Sequence, residues 1–463
     1  MWEAVERTAG QYDEEYLDKV EKLINKLGEA GIYTLVDMHQ DVFARSICGE
    51  GFPDFYAKEA IKDSVCISEF WDKVFHPLFE KTGLCKSMSD YNLKYDSNDD
   101  PIISECQKNM FGLYYATKES FTAFDALFSN KNGLQDKFIS YWDHTSARFA
   151  KNPYVVGYDP LNEPLAGNPL HNAFLEVPGV ADREVLDPLY SKIFDKYIKN
   201  DDKAVMWFEP PPQPDTLPIA GGTVAPVGFE RPPGAQPGSP NHVLNDHTYC
   251  CAMDYEAGVC KDEEPTPAGA ESCMKFHRAK LQTRSADAKR LKIPLFISEF
   301  GACFNEGPCT QEITQVAEAC DEELVGWAYW QFKYYEDLTT SAGTNSEGVY
   351  NHDGSLQTFK VKALSRSYMQ KTQGVPTKMK FDTQTSDFSF SFVVNTDINA
   401  PSVGFFSETF FYENGLNYTL ATSDGTELAQ TAYTADFKDS HLTFQVTDSS
   451  LNGQTLTLTA SKK

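Results

Sequence analysis

The chain has 463 residues, above the ~100–200 of one ordinary domain, which excludes a single small module and leaves two domains or a large barrel with an appendage. A formal charge of −26 and an isoelectric point of about 4.7 argue against a nucleic-acid partner, because affinity for phosphate backbones comes from Lys and Arg displacing counterions. No run approaches the ~18 consecutive apolar residues of a membrane span, and mean hydropathy is −0.44.

In chain order, residues 14–30 place Tyr16, Leu17, Val20, Leu23, Ile24 and Leu27 at helical spacing before Gly28 and Gly31, and the apolar run IYTLVDMH then reads as a buried parallel strand. A Cys-containing insertion over about 43–112 precedes a helical stretch over about 117–150 and the strand YVVGYD. A helix over 186–199, the strand AVMWFE, a Pro/Gly-rich loop over 210–240 and the strand HVLNDHTY follow. The alternation closes with a helix over 271–291, the strand LFISEF, a helix over 311–320 and the strand VGWAYWQF.

Strands separated by helices or long loops predict parallel βα units. Polar residues gather where the strands end, at MHQD, NEP, DHTY, SEFG and YWQF, which is where a (β/α)₈ TIM barrel carries its site. Only six strands are legible and the first has the character of a third, so the first two barrel strands are expected to be missing from this chain.

From about residue 375 the pattern changes to period-two alternation, as in DFSFSFVV and QTLTLTA, predicting an antiparallel β-sandwich. The expected domains are therefore 1–374, an N-terminally incomplete barrel, and 375–463, the sandwich. Asn417-Tyr418-Thr419 is a glycosylation sequon.

All eleven cysteines precede residue 325 and many sit in polar, loop-like sequence without C-x-x-C knuckles, which favours disulfides in an oxidising compartment over zinc. The odd count leaves at least one free thiol. The N-terminus has neither a basic nor an apolar signal region, so either the chain is cytosolic or its start is missing. The second alternative, with a secreted or lumenal/lysosomal protein, agrees with the barrel argument.

Glu163, in NEP, and Glu299, in SEFG, end separate predicted strands. Two carboxyls over one pocket are what glycosidic cleavage needs, one protonating the leaving oxygen and the other attacking the anomeric carbon. A lone NEP is an ordinary surface turn, but its pairing with SEFG at matching strand ends points to catalysis.

With DMHQD (Asp37 to Asp41), NEP, His247-Thr248-Tyr249, ISEFG and WAYWQFK (Trp327 to Lys333) in this order, the chain resembles glycoside hydrolase family 5, and within it the endoglycoceramidases. The resemblance implies a retaining double displacement with Glu163 as acid/base and Glu299 as nucleophile. It further implies that Asn162 bonds the sugar 2-hydroxyl, Tyr249 sits against Glu299, His247 lines the site, Asp37, His39 and Asp41 bind the first sugars, and Trp330, next to Gln331, stacks beneath the reacting sugar. An arginine that relatives carry at the end of the second barrel strand has no counterpart here.

The implied substrate is a glycosphingolipid, cut between glycan and ceramide. The alternatives are another family 5 β-glycosidase, of glucosylceramidase or endoglucanase type, and an inactive glycan- or lipid-binding homologue. Loops expected to meet lipid or a micelle surface include Phe208, Pro210 to Pro212, Val227, Phe229 and positions near Tyr334. No metal or cofactor motif is present in the sequence, and the oligomeric state is not legible.

Overall fold

The computed structural model describes residues 1–65, 86–212, 216–217, 223–251, 259–261, 264–333 and 347–463. Of these, 1–247 and 283–296 form one compact unit, and 248–282, 297–333 and 347–463 form another.

In the first unit, helix α1 (Glu14–Glu29) starts at Asp13, whose carboxylate accepts the Tyr16 N–H at 2.9 Å, and it buries Leu17 and Ile24. Near its end Gly28 lies so close to the Tyr154 ring that a β-carbon would come within 2.0 Å of it. Strand β1 (Thr34–Asp37) follows.

The helical stretch expected over 117–150 is two helices, α2 (Lys118–Phe128) and α3 (Leu134–Phe149). Between them Asn130, Asn132 and Gly133 have φ of 57°, 54° and 72°, the left-handed conformation that Asn and Gly tolerate best and that ends a helix. The corner turns α3 back along the sheet. There Trp142 is fully buried, donates its indole N–H to the Pro160 carbonyl at 2.9 Å and packs edge-on against Tyr197 of α4 (Asp187–Asn200). Two helices thus fix the chain at the end of β2 (Val155–Asp159), just before NEP.

Strands β3 (Met206–Phe208), β4 (His242–His247), β5 (Leu295–Glu299) and β6 (Gly326–Trp327) complete a six-stranded sheet in the order β1-β2-β3-β4-β5-β6. Pairing among the first four is parallel. All six residues of β4 are buried. One hydrophobic cluster runs from Trp2 to Ile293 through this unit, dominated by aromatics such as Phe43, Phe52, Phe124, Phe138 and Tyr141.

Helix α5 (Ala270–Leu291) matches expectation, whereas α6 (Glu306–Glu323) begins earlier than residue 311. Pro308 fits in its first turn, where the missing N–H has no helical partner to lose. Strand β6 is only two residues long; beyond it Trp330 bridges to Gly301 and the Trp330–Gln331 peptide is cis.

In the second unit, β7 (Tyr368–Lys371), β8 (Gly374–Phe381), β9 (Phe388–Val394), β10 (Ser402–Phe405), β11 (Leu416–Thr422), β12 (Tyr433–Lys438), β13 (His441–Val446) and β14 (Thr455–Lys462) make two four-stranded antiparallel sheets, ordered β7-β10-β13-β12 and β8-β9-β14-β11. The alternation read from the sequence is the burial pattern: Phe388, Phe390, Phe392 and Val394 all point into the sandwich core.

Disulfides join Cys48–Cys106, Cys250–Cys273, Cys251–Cys260 and Cys303–Cys309, and Cys320 is a buried free thiol. Cys66 and Cys85 lie outside the described residues. Among the described residues no helix is long and apolar enough to cross a membrane.

Candidate active site

In the first unit the ends of β1 to β4 bring together Asp37, His39, Asp41, Asn162, Glu163 and His247. His247 Nδ1 lies 2.8 Å from Glu163 Oε1, and its Nε2 lies 3.7 Å from the buried Glu209. The Glu163 carboxyl keeps 23% of its side-chain surface exposed, so it can meet a ligand. Its backbone has φ +40°, a strained conformation for a residue with a side chain.

Asn162 is buried; its Nδ2 donates to the Gln40 carbonyl at 3.1 Å, and Gln40 Nε2 donates back to the carbonyls of Asn162 (2.8 Å) and Glu163 (3.1 Å). Gln40 therefore fastens the NEP turn to the end of β1. It stood inside the DMHQD motif and was passed over because its role is to hold backbone.

His39 lies between Asp37 (Nδ1 to Oδ2, 3.2 Å) and Asp41 (Nε2 to Oδ2, 3.4 Å). Burial alone would lower its pKa, but the two carboxylates win and hold the imidazole well above its ordinary value, as a cation. The donor atoms of His39, Asp41 and Glu50 lie within 4.8 Å of one another, the spacing of a cation site, but the carboxylates flanking His39 favour its protonated form, which has to lose that proton before it can ligate a metal. The four sulfurs of Cys250, Cys251, Cys260 and Cys273 cluster as closely, but all are consumed in disulfides.

Two buried acids, Asp159 and Glu209, were not singled out in the sequence. Burial pushes the Asp159 carboxyl well above the carboxylate range, with repulsion from Asp37 added and His247 opposing; Asn245 donates to it at 2.5 Å. Each ends a strand, at GYDP and WFEP, so strand-end position was the available signal. Asp246 takes the His247 N–H at 2.7 Å and is itself bound by the fully buried Arg284 at 2.5 Å.

In the second unit Tyr249 donates its phenol O–H to Glu299 Oε1 at 2.8 Å. The Thr248 N–H bonds the Glu299 carbonyl at 3.1 Å, and the Thr248 hydroxyl meets His277 Nδ1 at 2.8 Å, tying the chain beyond β4 to β5 and to α5. Trp330 donates its indole N–H to Glu347 Oε2 at 3.0 Å, and Gln331 beside it is buried. Glu347, a further residue missed in the sequence, has its own carbonyl held by Tyr329 Oη (2.8 Å) and Lys360 Nζ (3.0 Å).

Phe208, Val227 and Phe229, expected to present apolar surface to lipid, are instead buried core residues, as are Pro210 and Pro211. Hydrogen bonds from two arginines explain the Val227–Phe229 turn: the buried Arg284 donates from Nη1 to the Ala225 carbonyl, and Arg290 donates to those of Val227 and Phe229. Of the positions near Tyr334, Phe332 is exposed as expected, and residues 334–346 lie outside the described residues.

The family model for cellulase (glycosyl hydrolase family 5) matches residues 116–336, and that for the glycoside hydrolase family 5 C-terminal domain matches residues 366–459. The chain is a member of glycoside hydrolase family 5. As a glycoside hydrolase it is 28% identical over 418 residues to an endoglycoceramidase of Cyanea nozakii, covering 90% of this chain and 73% of the relative. An endoglycoceramidase of Hydra vulgaris is 26% identical over 415 residues, covering 89% and 69%. The solved endo-glycoceramidase II from Rhodococcus sp. shares the fold at a TM-score of 0.68 and 20% identity, covering 100% of this chain and 87% of that one. The family 5 barrel and C-terminal domain are thus both present.

Proposed function

We propose that this family 5 hydrolase is an endoglycoceramidase, cutting the β-glycosidic bond between the oligosaccharide and the ceramide of glycosphingolipids with retention. The observation that carries the reading is at the end of β4: His247 contacts Glu163, and two residues later Tyr249 contacts Glu299. Each of the two carboxyls that such cleavage requires thus has a hydrogen-bonding side chain beside it in its own unit. The Cyanea and Hydra relatives, both endoglycoceramidases by name, support the substrate class, and the Rhodococcus enzyme has been solved as a lactosyl-enzyme intermediate and a ganglioside GM3 complex.

In this reading Glu299 attacks the anomeric carbon while Glu163 gives its proton to the ceramide oxygen, so the C–O bond breaks and a glycosyl ester forms on Glu299. Glu163, now anionic, takes a proton from water; the water oxygen attacks the anomeric carbon and the Glu299 carboxylate is released. Tyr249 favours the ionised nucleophile by donating a hydrogen bond to it. His39, Asp37, Asp41 and Asn162 bind sugar hydroxyls, and Trp330 offers a flat apolar face to the reacting ring, with Gln331 beside it.

The greasy side of the substrate is served by other residues than the buried Phe208 and Phe229. Phe174 (74% exposed), after the NEP turn, and Phe332 (70% exposed), next to Gln331, support contact with ceramide or a micelle surface. Four disulfides among the described residues and the sequon at Asn417, which is exposed on β11, support a secreted or lumenal glycoprotein acting in sphingolipid turnover.

The test is incubation of the purified chain with lactosylceramide, beside Glu299→Ser. Release of intact lactose by the wild type and none by the variant is the expected result. Inertness on lactosylceramide with release of glucose from glucosylceramide would point to a glucosylceramidase-type β-glucosidase, and binding without turnover of either to a non-catalytic homologue.

A further inference from the structure

Glu209 directly follows β3 with its side chain sealed from solvent, and its Oε1 accepts the backbone N–H of Glu163 at 3.0 Å. That N–H belongs to the residue whose backbone is held at φ +40°. The second oxygen, Oε2, faces His247 Nε2 at 3.7 Å, while the opposite ring nitrogen contacts the Glu163 carboxyl at 2.8 Å. Glu209 therefore reaches Glu163 by two routes, through its backbone and through the imidazole. From the other side, Tyr190 of α4 donates its hydroxyl to the Glu209 carbonyl at 3.3 Å and fixes the strand end.

We infer that Glu209 is a positioning residue for the acid/base step, which holds the Glu163 turn and faces the His247 ring so that the Glu163 proton meets the leaving oxygen. This rests on the assignment of Glu163 as acid/base. The titratable groups facing Glu209 are His247 from β4, Asp159 from β2, Asp37 from β1 and Glu163 itself. Burial pushes the Glu209 carboxyl well above the carboxylate range; His247 opposes this, and the three acids add to it. Neutral Glu209 keeps its carbonyl oxygen toward the Glu163 N–H and its hydroxyl toward His247. It adds no second anion to compete for the proton that Glu163 must deliver.

Glutamine copies a neutral glutamic acid in shape and in the acceptor it offers, whereas leucine keeps the volume and removes both polar atoms. The experiment compares kcat/KM on octyl β-lactoside, whose leaving group needs protonation, and on dinitrophenyl β-lactoside, whose leaving group does not. Glu209→Leu is expected to lose about 10–100-fold on the octyl substrate and less than about threefold on the dinitrophenyl one, a part of the ~10²–10⁴-fold that general acid catalysis contributes, as suits a residue that positions the acid. Glu209→Gln is expected to stay within about threefold of wild type on both, with an unchanged pH profile, as a neutral carboxyl requires. Should Glu209→Leu fail to fold, Glu209→Ser reads the same contrast.

Equal losses on the two lactosides would make Glu209 a scaffold residue only and overturn the inference, as would a glutamine variant no better than leucine. Lactosylceramide is assayed in parallel with the wild type. Cleavage of both lactosides but not of lactosylceramide would sink the lipid substrate and leave the leaving-group contrast to decide Glu209.

Discussion

The phenol of Tyr249 donates a hydrogen bond to the carboxylate of Glu299 at 2.8 Å, in a chain segment that is covalently braced one residue later by Cys250. Removing only the hydroxyl, in Tyr249→Phe, keeps the ring and deletes the donor. The expected loss is about 10–100-fold in kcat/KM, the ~1.5–3 kcal/mol of a hydrogen bond to a charged group. Steady-state kinetics with unchanged thermal unfolding would check it; an unaltered kcat/KM would remove Tyr249 from the machinery.

The Cys250–Cys273 bridge spans 23 residues and anchors the segment after Tyr249 to α5. The double variant Cys250→Ser/Cys273→Ser is expected to lose about 2–4 kcal/mol of stability, in the range for loops of this size. Denaturant unfolding measures it, and activity should fall further than in a control lacking Cys48–Cys106, which closes a loop in the other unit.

Trp330 depends on Glu347 for the orientation of its indole. In Glu347→Leu that hydrogen bond is lost, and KM for a lactoside is expected to rise about 5–10-fold, equivalent to ~1 kcal/mol, with a smaller change in kcat. A fall in kcat at constant KM would place Glu347 elsewhere in the reaction.

Stability should be greater in mild acid than at neutrality. Burial raises the carboxyl pKa of Asp182, which accepts the Gly228 N–H, and of Asp321, which pairs with Arg366 at 2.8 Å, to about 6 each. Both folded values lie above the unfolded value of 3.8, so the stabilisation is complete below that value and is lost as pH rises through about 6. Between about pH 5 and about pH 7.5 each group is expected to cost roughly 1–1.5 kcal/mol. Thermal melts across that interval should show a falling Tm, flattened in Asp182→Asn/Asp321→Asn; a flat wild-type curve would refute it.

Strand ends were legible because barrel chemistry concentrates polar residues where apolar runs stop, and Glu163, His247, Tyr249 and Glu299 all stood in such places. The sandwich was legible from the Phe388, Phe390, Phe392 alternation. What escaped was supportive or conformational. Gln40 and Glu209 act by holding backbone, which leaves no mark beyond their position. The Asn130 to Gly133 corner was hidden because apolar residues keep helical spacing on both sides of it. Phe208 and Phe229 were misjudged because a Pro-rich loop normally runs on the surface, whereas this one is drawn inward by Arg284, Arg290 and Asp287, the last accepting the Val227 N–H at 2.9 Å. Arginines some sixty positions downstream give no local signal.

Disulfide exchange begins with attack by a thiolate on an existing bridge. Cys320 has no solvent contact, and burial, reinforced by Asp321, holds its proton well beyond the ordinary thiol range. In the folded protein it is therefore kinetically silent, unable to shuffle the bridges at Cys250, Cys251 and Cys303 that share its unit. The hazard of an unpaired cysteine is confined to the time before α6 docks.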